Sequence, residues 1–124
     1  MIQKLGQVML YVNNQDQSAA FWTEVLEFQV VSDQTGHGMR WIELAPKNGK
    51  GSHIVLHDKA KIAKMSPELS LGTPSLMFYA SQIDELYQSL KDKGVTVGEI
   101  VNMGTGRVFN FADYEENYFA VMEV

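Results

Sequence analysis

The sequence predicts an α+β protein that contains the same βαβββ module twice. A strand, a helix and three further strands are predicted in this order in each half of the chain. When the two halves are aligned, the segment Met9-Leu10-Tyr11-Val12 matches Met77-Phe78-Tyr79-Ala80, and Asp16 matches Asp84 at the same offset. Turn-forming glycine and asparagine residues separate the strand-like runs. An internal duplication accounts for all three observations.

The first module is predicted within residues 1–57. Val8, Leu10 and Val12 recur at every second position and predict a strand over 5–12, because successive side chains of a strand point to opposite faces. Asp16 is the expected N-cap of a helix over 16–26 that has apolar residues at three-and-four spacing. Three β-rich runs then predict strands over 28–32, 40–44 and 53–57.

The second module is predicted within residues 74–124, after a connection over 58–73, and the two modules are expected to form one domain over 1–124. A strand over 76–80 is followed by Ser81, the expected cap of a helix with Asp84 three residues on. Gly94 is the expected end of this helix, whose apolar stripe is Ile83, Leu86, Tyr87 and Leu90. Strands are predicted over 95–101, 107–111 and 118–124.

Composition excludes several classes of function. The chain has 124 residues, of which 45% are hydrophobic, enough for one real core. The formal net charge is −5 and the basic residues are scattered, which argues against nucleic acid as a partner. The absence of cysteine excludes disulfides, catalytic thiols and Cys-ligated zinc. The short apolar start predicts neither a signal peptide nor a membrane span, so we expect a cytoplasmic protein without a membrane partner.

Three motifs carry a family resemblance over the whole chain. They are Gln7-Val8-Met9-Leu10-Tyr11-Val12 with Phe21-Trp22 on the following helix, Gly106-Arg107-Val108-Phe109-Asn110-Phe111, and the segment from Asp113 through Phe119. With the duplicated module they resemble the glyoxalase/bleomycin-resistance (vicinal oxygen chelate) superfamily. The resemblance implies a curved, cup-like mixed sheet formed by both modules, a small-molecule ligand inside the cup, and a homodimer.

The resemblance also implies where a metal would bind. Metal-dependent members place one ligand on the first and one on the last strand of each module, which here gives Gln7, Val55, Ser75 and Ala120. Val55 and Ala120 have no donor atom, and a serine hydroxyl is a weak ligand. We therefore expect no metal cofactor. The alternative is a divalent metal held by Gln7 and His57, which requires a one-residue shift of the alignment. His57 is otherwise a hydrogen-bonded histidine at a strand end.

Strand alternation and the resemblance together indicate a ligand-binding surface. The expected ligand-binding residues are Gln7, Met9, Tyr11, Trp41, His57, Met77, Tyr79, Arg107, Phe109 and Tyr118. Soft and aromatic side chains of this kind line apolar sites, but they also fill protein cores. Arg107 is either a cation at the mouth of an aromatic cavity or an exposed arginine at a hairpin end.

No catalytic residue is identified by a motif, since no Ser-His-Asp order, phosphate-binding glycine loop or zinc-protease helix is present. Glu43 is the candidate general base if it lies inside an apolar cup; the alternative is that it faces water or a partner subunit. The first hypothesis is a metal-free protein that binds a small, partly aromatic organic molecule. The second is a metal-dependent glyoxalase-like lyase, an isomerase or a dioxygenase relative, and the third is a structural dimer without a ligand.

Overall fold

A computed structural model describes residues 1–124, and the chain divides into two compact units, Met1–Thr73 and Pro74–Val124. Each unit contains one four-stranded mixed sheet and one helix between its first two strands. The strand order is equivalent in both units. The predicted fold class, α+β with two βαβββ modules, is therefore confirmed.

The first unit contains four strands and two helices. Helix α1 continues into a π-helical segment over Phe21–Val25. The elements are β1 (Gln7–Val12), α1 (Gln15–Ala20), β2 (Phe28–Gly36), β3 (Met39–Pro46), β4 (His53–Asp58) and α2 (Lys59–Met65). The sheet order is β1-β4-β3-β2, with β1 parallel to β4 and the other pairs antiparallel.

The second unit repeats this arrangement with shorter strands. The elements are β5 (Met77–Ala80), α3 (Ile83–Asp92), β6 (Val101–Asn102), β7 (Arg107–Ala112) and β8 (Tyr118–Glu123). The sheet order is β5-β8-β7-β6, with β5 parallel to β8. Met77 pairs with Ala120 just as Met9 pairs with Val55 in the first sheet, so the duplication extends to the register of the strands.

The core of the first unit lies between its sheet and α1 with its π-helical continuation. Phe21 and Trp22 are fully buried, together with alternate strand residues such as Leu10, Leu44 and Leu56. The Gln15 Nε2 group donates hydrogen bonds to the backbone oxygens of Arg40 (2.7 Å) and Leu56 (3.0 Å), which fixes the start of α1 on the sheet. One face of this sheet is thus covered by a helix within its own unit.

The core of the second unit is aromatic. Phe109 is buried against Tyr87 of α3, with the ring centroids 5.1 Å apart and edge to face. The rings of Phe78, Phe111 and Phe119 contact one another on the same side of the sheet. Aromatic pairs in this geometry contribute stability beyond their buried area.

Two predicted helix starts are wrong. Asn14, not Asp16, is the N-cap of α1, since its side chain accepts a hydrogen bond from the Gln17 N–H at 2.9 Å. Ser81 does not cap α3: Gln82 occupies that position in the left-handed conformation (φ +53°) and makes no side-chain cap. In both helices the aspartate of the predicted cap binds an arginine of the neighbouring sheet instead. The predicted end at Gly94 is correct, with φ +77° and the Val95 N–H bonded to the Leu90 oxygen.

Two other segments differ from the predictions. The 58–73 connection contains helix α2, which Asp58 caps by accepting from the Lys61 N–H at 3.2 Å. The predicted strand over 95–101 is reduced to β6 and one isolated bridge between Val97 and Phe111. Gly98 interrupts this stretch, and glycine inside a strand weakens regular pairing. None of the helices has both the length and the apolar character needed to cross a membrane.

Candidate functional site

The face of the first sheet that points away from α1 carries most of the predicted site residues of this unit. We call it the open face of the first sheet, and its central residues are Gln7, Met9, Tyr11, Trp41, Glu43, His53, Val55 and His57. They form rows across the strands, because Gln7 pairs with His53, Met9 with Val55, and Tyr11 with His57. On the other side of β4, Glu43 pairs with Val55 and Trp41 with His57.

One end of the open face is aromatic and uncharged. The rings of Tyr11 and His57 are stacked, with centroids 5.7 Å apart and an interplanar angle of 27°. The His57 Nε2 atom lies 3.2 Å from the Met9 sulfur, and Trp41 is the strand neighbour of His57 on β3. Burial lowers the pKa of His57 below its usual value, so the ring is neutral at pH 7. Aromatic surface without charge is suited to a flat apolar ligand.

The other end of the open face is polar. His53 Nδ1 and Glu43 Oε2 are 2.5 Å apart, and the two side chains are 26% and 22% exposed. Gln7, the register partner of His53, is exposed beside them. Glu43 is therefore paired with a histidine, a contact that the sequence did not predict. The positions of Glu43 and His53 in the sequence do not reveal this contact, because the two residues become neighbours only through the register of β3 and β4.

The second sheet also has an open face, on the side opposite to α3. Met77, Tyr79 and Tyr118 are 49%, 72% and 59% exposed there. Met77 and Tyr79 pair with Ala120 and Met122 in the sheet. Three further predicted ligand-binding residues thus form an exposed, apolar and aromatic surface in this unit.

Phe109 and Arg107 do not belong to this surface, which argues against their prediction as ligand-binding residues. Phe109 is 1% exposed and packs on α3. The Arg107 side chain lies on the same side of β7 and donates to Glu123 (2.8 Å) and Asp84 (2.9 Å). These hydrogen bonds raise the pKa of Arg107 and lower the pKa values of Asp84 and Glu123. Strand alternation correctly put Arg107 and Phe109 on one face, but α3 covers that face.

Comparison with known proteins identifies the family. The family model of the Glyoxalase/Bleomycin resistance protein/Dioxygenase superfamily matches residues 4–121. The chain belongs to this superfamily. A curated relative, the uncharacterized protein YetH of Bacillus subtilis (strain 168), is 33% identical over 99% of this chain and 100% of its own length.

Solved structures of superfamily type share the fold. TnmS3, an antibiotic binding protein from Streptomyces sp. CB03234, has a TM-score of 0.84 and 26% identity over 98% of this chain and 96% of that one. A glyoxalase/bleomycin resistance protein from the same Streptomyces strain has a TM-score of 0.78 and 26% identity over 96% of this chain and 99% of that one. One of these structurally similar proteins, TnmS3, is thus described as binding an antibiotic.

The residues at the four positions expected from the resemblance to hold a metal do not fit a divalent ion. Val55 and Ala120 provide no donor atom, and no group of three or more His, Cys, Asp or Glu side chains is arranged to hold a metal. The strand register argues against the fallback metal pair of Gln7 and His57. Gln7 lies beside His53, and His57 lies beside Tyr11 four residues further along the strands, a separation of about 13 Å.

Proposed function

We propose that this superfamily member binds a small, partly aromatic organic molecule on its open sheet faces, without a metal ion. The observation that carries the proposal is the stacked pair of Tyr11 and His57 beside Met9 on the open face of the first sheet. An aromatic pair with a neutral imidazole offers a flat surface on which another ring can stack.

Apolar burial would supply the affinity. Met77, Tyr79 and Tyr118 expose about half or more of their surface on the second sheet, and Met9 is partly exposed on the first. Complete burial of one large apolar side chain contributes about 1.5–3 kcal/mol. The flexible thioether of methionine adapts to ligands of irregular shape.

The chemistry of the metal positions supports binding without a metal. A valine and an alanine stand at two of the four positions that the resemblance assigns to metal ligands, so these two positions offer no donor atom. The relation to TnmS3, described as an antibiotic binding protein, supports binding of an organic molecule. It does not identify the ligand of this chain.

The test is a thermal-shift screen of planar aromatic compounds and short 2-oxo aldehydes in the presence of EDTA, with calorimetry for each hit. We expect stabilisation by the aromatic compounds and turnover of neither class. Tyr11→Ala should weaken a hit about tenfold or more, since it removes about 1.5 kcal/mol or more of aromatic contact. Tyr114→Ala, an exposed tyrosine in the turn before β8, is the matched control and should bind normally.

Two results would contradict the proposal. In a parallel assay with added divalent metal and no EDTA, metal-dependent consumption of methylglyoxal and glutathione would show a glyoxalase-like enzyme and overturn the proposal. Equal binding by the wild type and Tyr11→Ala would show that the open face of the first sheet is not the site.

Two further properties belong to this proposal. We propose a homodimer, because each sheet has an apolar open face that a second copy can help to cover. We also propose a cytoplasmic location, in keeping with the absence of cysteine.

A further inference from the structure

We propose that Glu43 and His53 form a receptor for an acidic hydroxyl group, so that the preferred ligands are flat hydroxyaromatic molecules. The inference rests on the proposed function and specifies its ligand class. His53 is the residue that touches the ligand hydroxyl, and Glu43 is a positioning residue that acts through His53.

The hydrogen bond to Glu43 sets the chemistry of the His53 ring. His53 Nδ1 and Glu43 Oε2 are 2.5 Å apart, and because an ionised carboxylate can only accept, we assign the proton of this hydrogen bond to Nδ1. In a neutral imidazole the other nitrogen, Nε2, is then the hydrogen-bond acceptor. A ligand group that approaches Nε2 must therefore donate a proton, as a phenol or an enol does.

The carboxylate also strengthens this interaction. When a phenolic proton moves toward Nε2, the imidazole gains positive charge, and the adjacent Glu43 carboxylate stabilises that charge. The balance of the step is simple: the O–H bond lengthens, the proton approaches Nε2, and the negative charge on the ligand oxygen faces an imidazolium. An ether in the same place has no proton to give and gains none of this energy.

The position of the pair selects the shape of the ligand. Val55 and Met9 form the row next to His53, and Tyr11, His57 and Trp41 form the row beyond it. Two rows on the same face are about 6.6 Å apart along the strand, so the aromatic end lies about 13 Å from His53. A flat ring system with a hydroxyl at one end can place that hydroxyl at His53 and its far edge toward Tyr11.

The pair is partly buried, which makes the selection effective. About three quarters of each side chain is removed from solvent. A hydrogen bond in such a setting is stronger than in water, and a ligand that leaves a polar atom there without a partner loses affinity. Gln7, next to His53, offers an amide that can accept or donate to a second polar group of the ligand.

The experiment compares 2-naphthol with 2-methoxynaphthalene, which has the same rings but no hydroxyl proton. Binding is measured by fluorescence and calorimetry on the full chain. We expect the wild type to bind 2-naphthol at least tenfold more tightly than 2-methoxynaphthalene. His53→Phe keeps a flat ring and should reduce the preference to less than twofold. His37→Asn, in the turn between β2 and β3, is the matched histidine control and should leave the preference intact.

A second readout tests the positioning role of Glu43. In the ligand-free protein, nitrogen NMR should show His53 protonated at Nδ1. Glu43→Leu should give a mixture of tautomers and lose most of the preference, whereas Glu43→Gln, whose amide oxygen still accepts from Nδ1, should keep part of it. The nitrogen chemical shifts report directly on the protonation of the His53 ring. They are measured on variants whose fold is verified by circular dichroism.

The outcomes separate this inference from the proposed function. If the wild type binds both naphthalenes equally, or if His53→Phe keeps the preference, the hydroxyl receptor is wrong while aromatic binding stands. If neither naphthalene binds, and the planar aromatic panel also fails, then the proposed function fails and this inference fails with it.

Discussion

The guanidinium of Arg40 donates a hydrogen bond to the carboxylate of Asp16 at 2.8 Å and thereby joins strand β3 to the first turn of α1. Arg107 and Asp84 make the equivalent contact between β7 and α3 in the second unit. Asp16 was predicted to cap α1, and Asp84 was predicted to lie three residues after Ser81, the expected cap of α3. Their conserved offset between the two modules instead reflects a duplicated arginine–aspartate contact.

We predict that Arg40→Lys lowers the free energy of unfolding by about 0.5–1 kcal/mol. Arg40 also binds Asp33 through two nitrogens, a fork that the single ammonium of lysine cannot reproduce. Urea denaturation at low salt measures the loss, and Lys50→Gln, an exposed lysine in a turn, is the control with little expected effect. A variant as stable as the wild type would show that this contact contributes nothing.

Phe109 provides the sharpest contrast between sequence and structure. We predict that Phe109→Ala lowers the free energy of unfolding by about 3–5 kcal/mol, because the ring is fully buried against α3. Tyr118→Ala, on the open face of the same sheet, should change it by less than about 1 kcal/mol. Chemical denaturation of the two variants measures this difference. Similar small losses in both would contradict the assignment of Phe109 to the core.

His57 should make the protein less stable in mild acid. Burial lowers its folded-state pKa below the unfolded value of 6.5, so the unfolded chain binds the proton first as the pH falls. The contribution of neutral His57 to the free energy of unfolding is fully present above pH 6.5. It is lost progressively as the pH drops toward the folded-state pKa. Unfolding of His57→Phe should depend less on pH than that of the wild type between about pH 7.5 and 5.5.

The matched control for this pH effect is His37→Asn in the turn between β2 and β3. His37 has φ +52°, a conformation that asparagine tolerates. We expect this variant to keep the pH dependence of the wild type. If the His57→Phe protein keeps it as well, His57 is not the group responsible.

We predict that no Zn²⁺, Ni²⁺, Mn²⁺ or Fe²⁺ binds stoichiometrically. Tight binding requires about three or four well-placed donors, and two of the four superfamily positions are Val55 and Ala120. Elemental analysis of protein purified without chelator measures the metal content. A content near one ion per chain that disappears in Gln7→Ala would refute the metal-free proposal.

The homodimer is tested by sedimentation at micromolar concentration. We expect twice the mass of the 14.0 kDa chain, because the exposed apolar side chains of the open faces favour burial against a second copy. Replacing Tyr79 by Ser should shift the equilibrium toward monomer if that face is buried in the dimer. A wild-type monomer at this concentration would contradict the prediction.

Local patterns in the sequence were sufficient for the order of elements within the two modules, the duplication and the grouping of residues by face, but they did not reveal α2. Period-two alternation correctly placed Gln7, Met9 and Tyr11 on one face of β1, and His53, Val55 and His57 on one face of β4. These properties are encoded within a few residues of each other, since the direction of a strand side chain depends only on its position in the strand.

Only the tertiary structure decided which face each helix covers and which side chains meet across strands. Alternation grouped Arg107 with Phe109, but the packing of α3 put both in or beside the core rather than on the open face. The pairing of Glu43 with His53 and of Gln7 with His53 depends on strand register. Register and helix packing are set by contacts between residues far apart in the chain, and a single-residue slip would exchange the two faces of a strand.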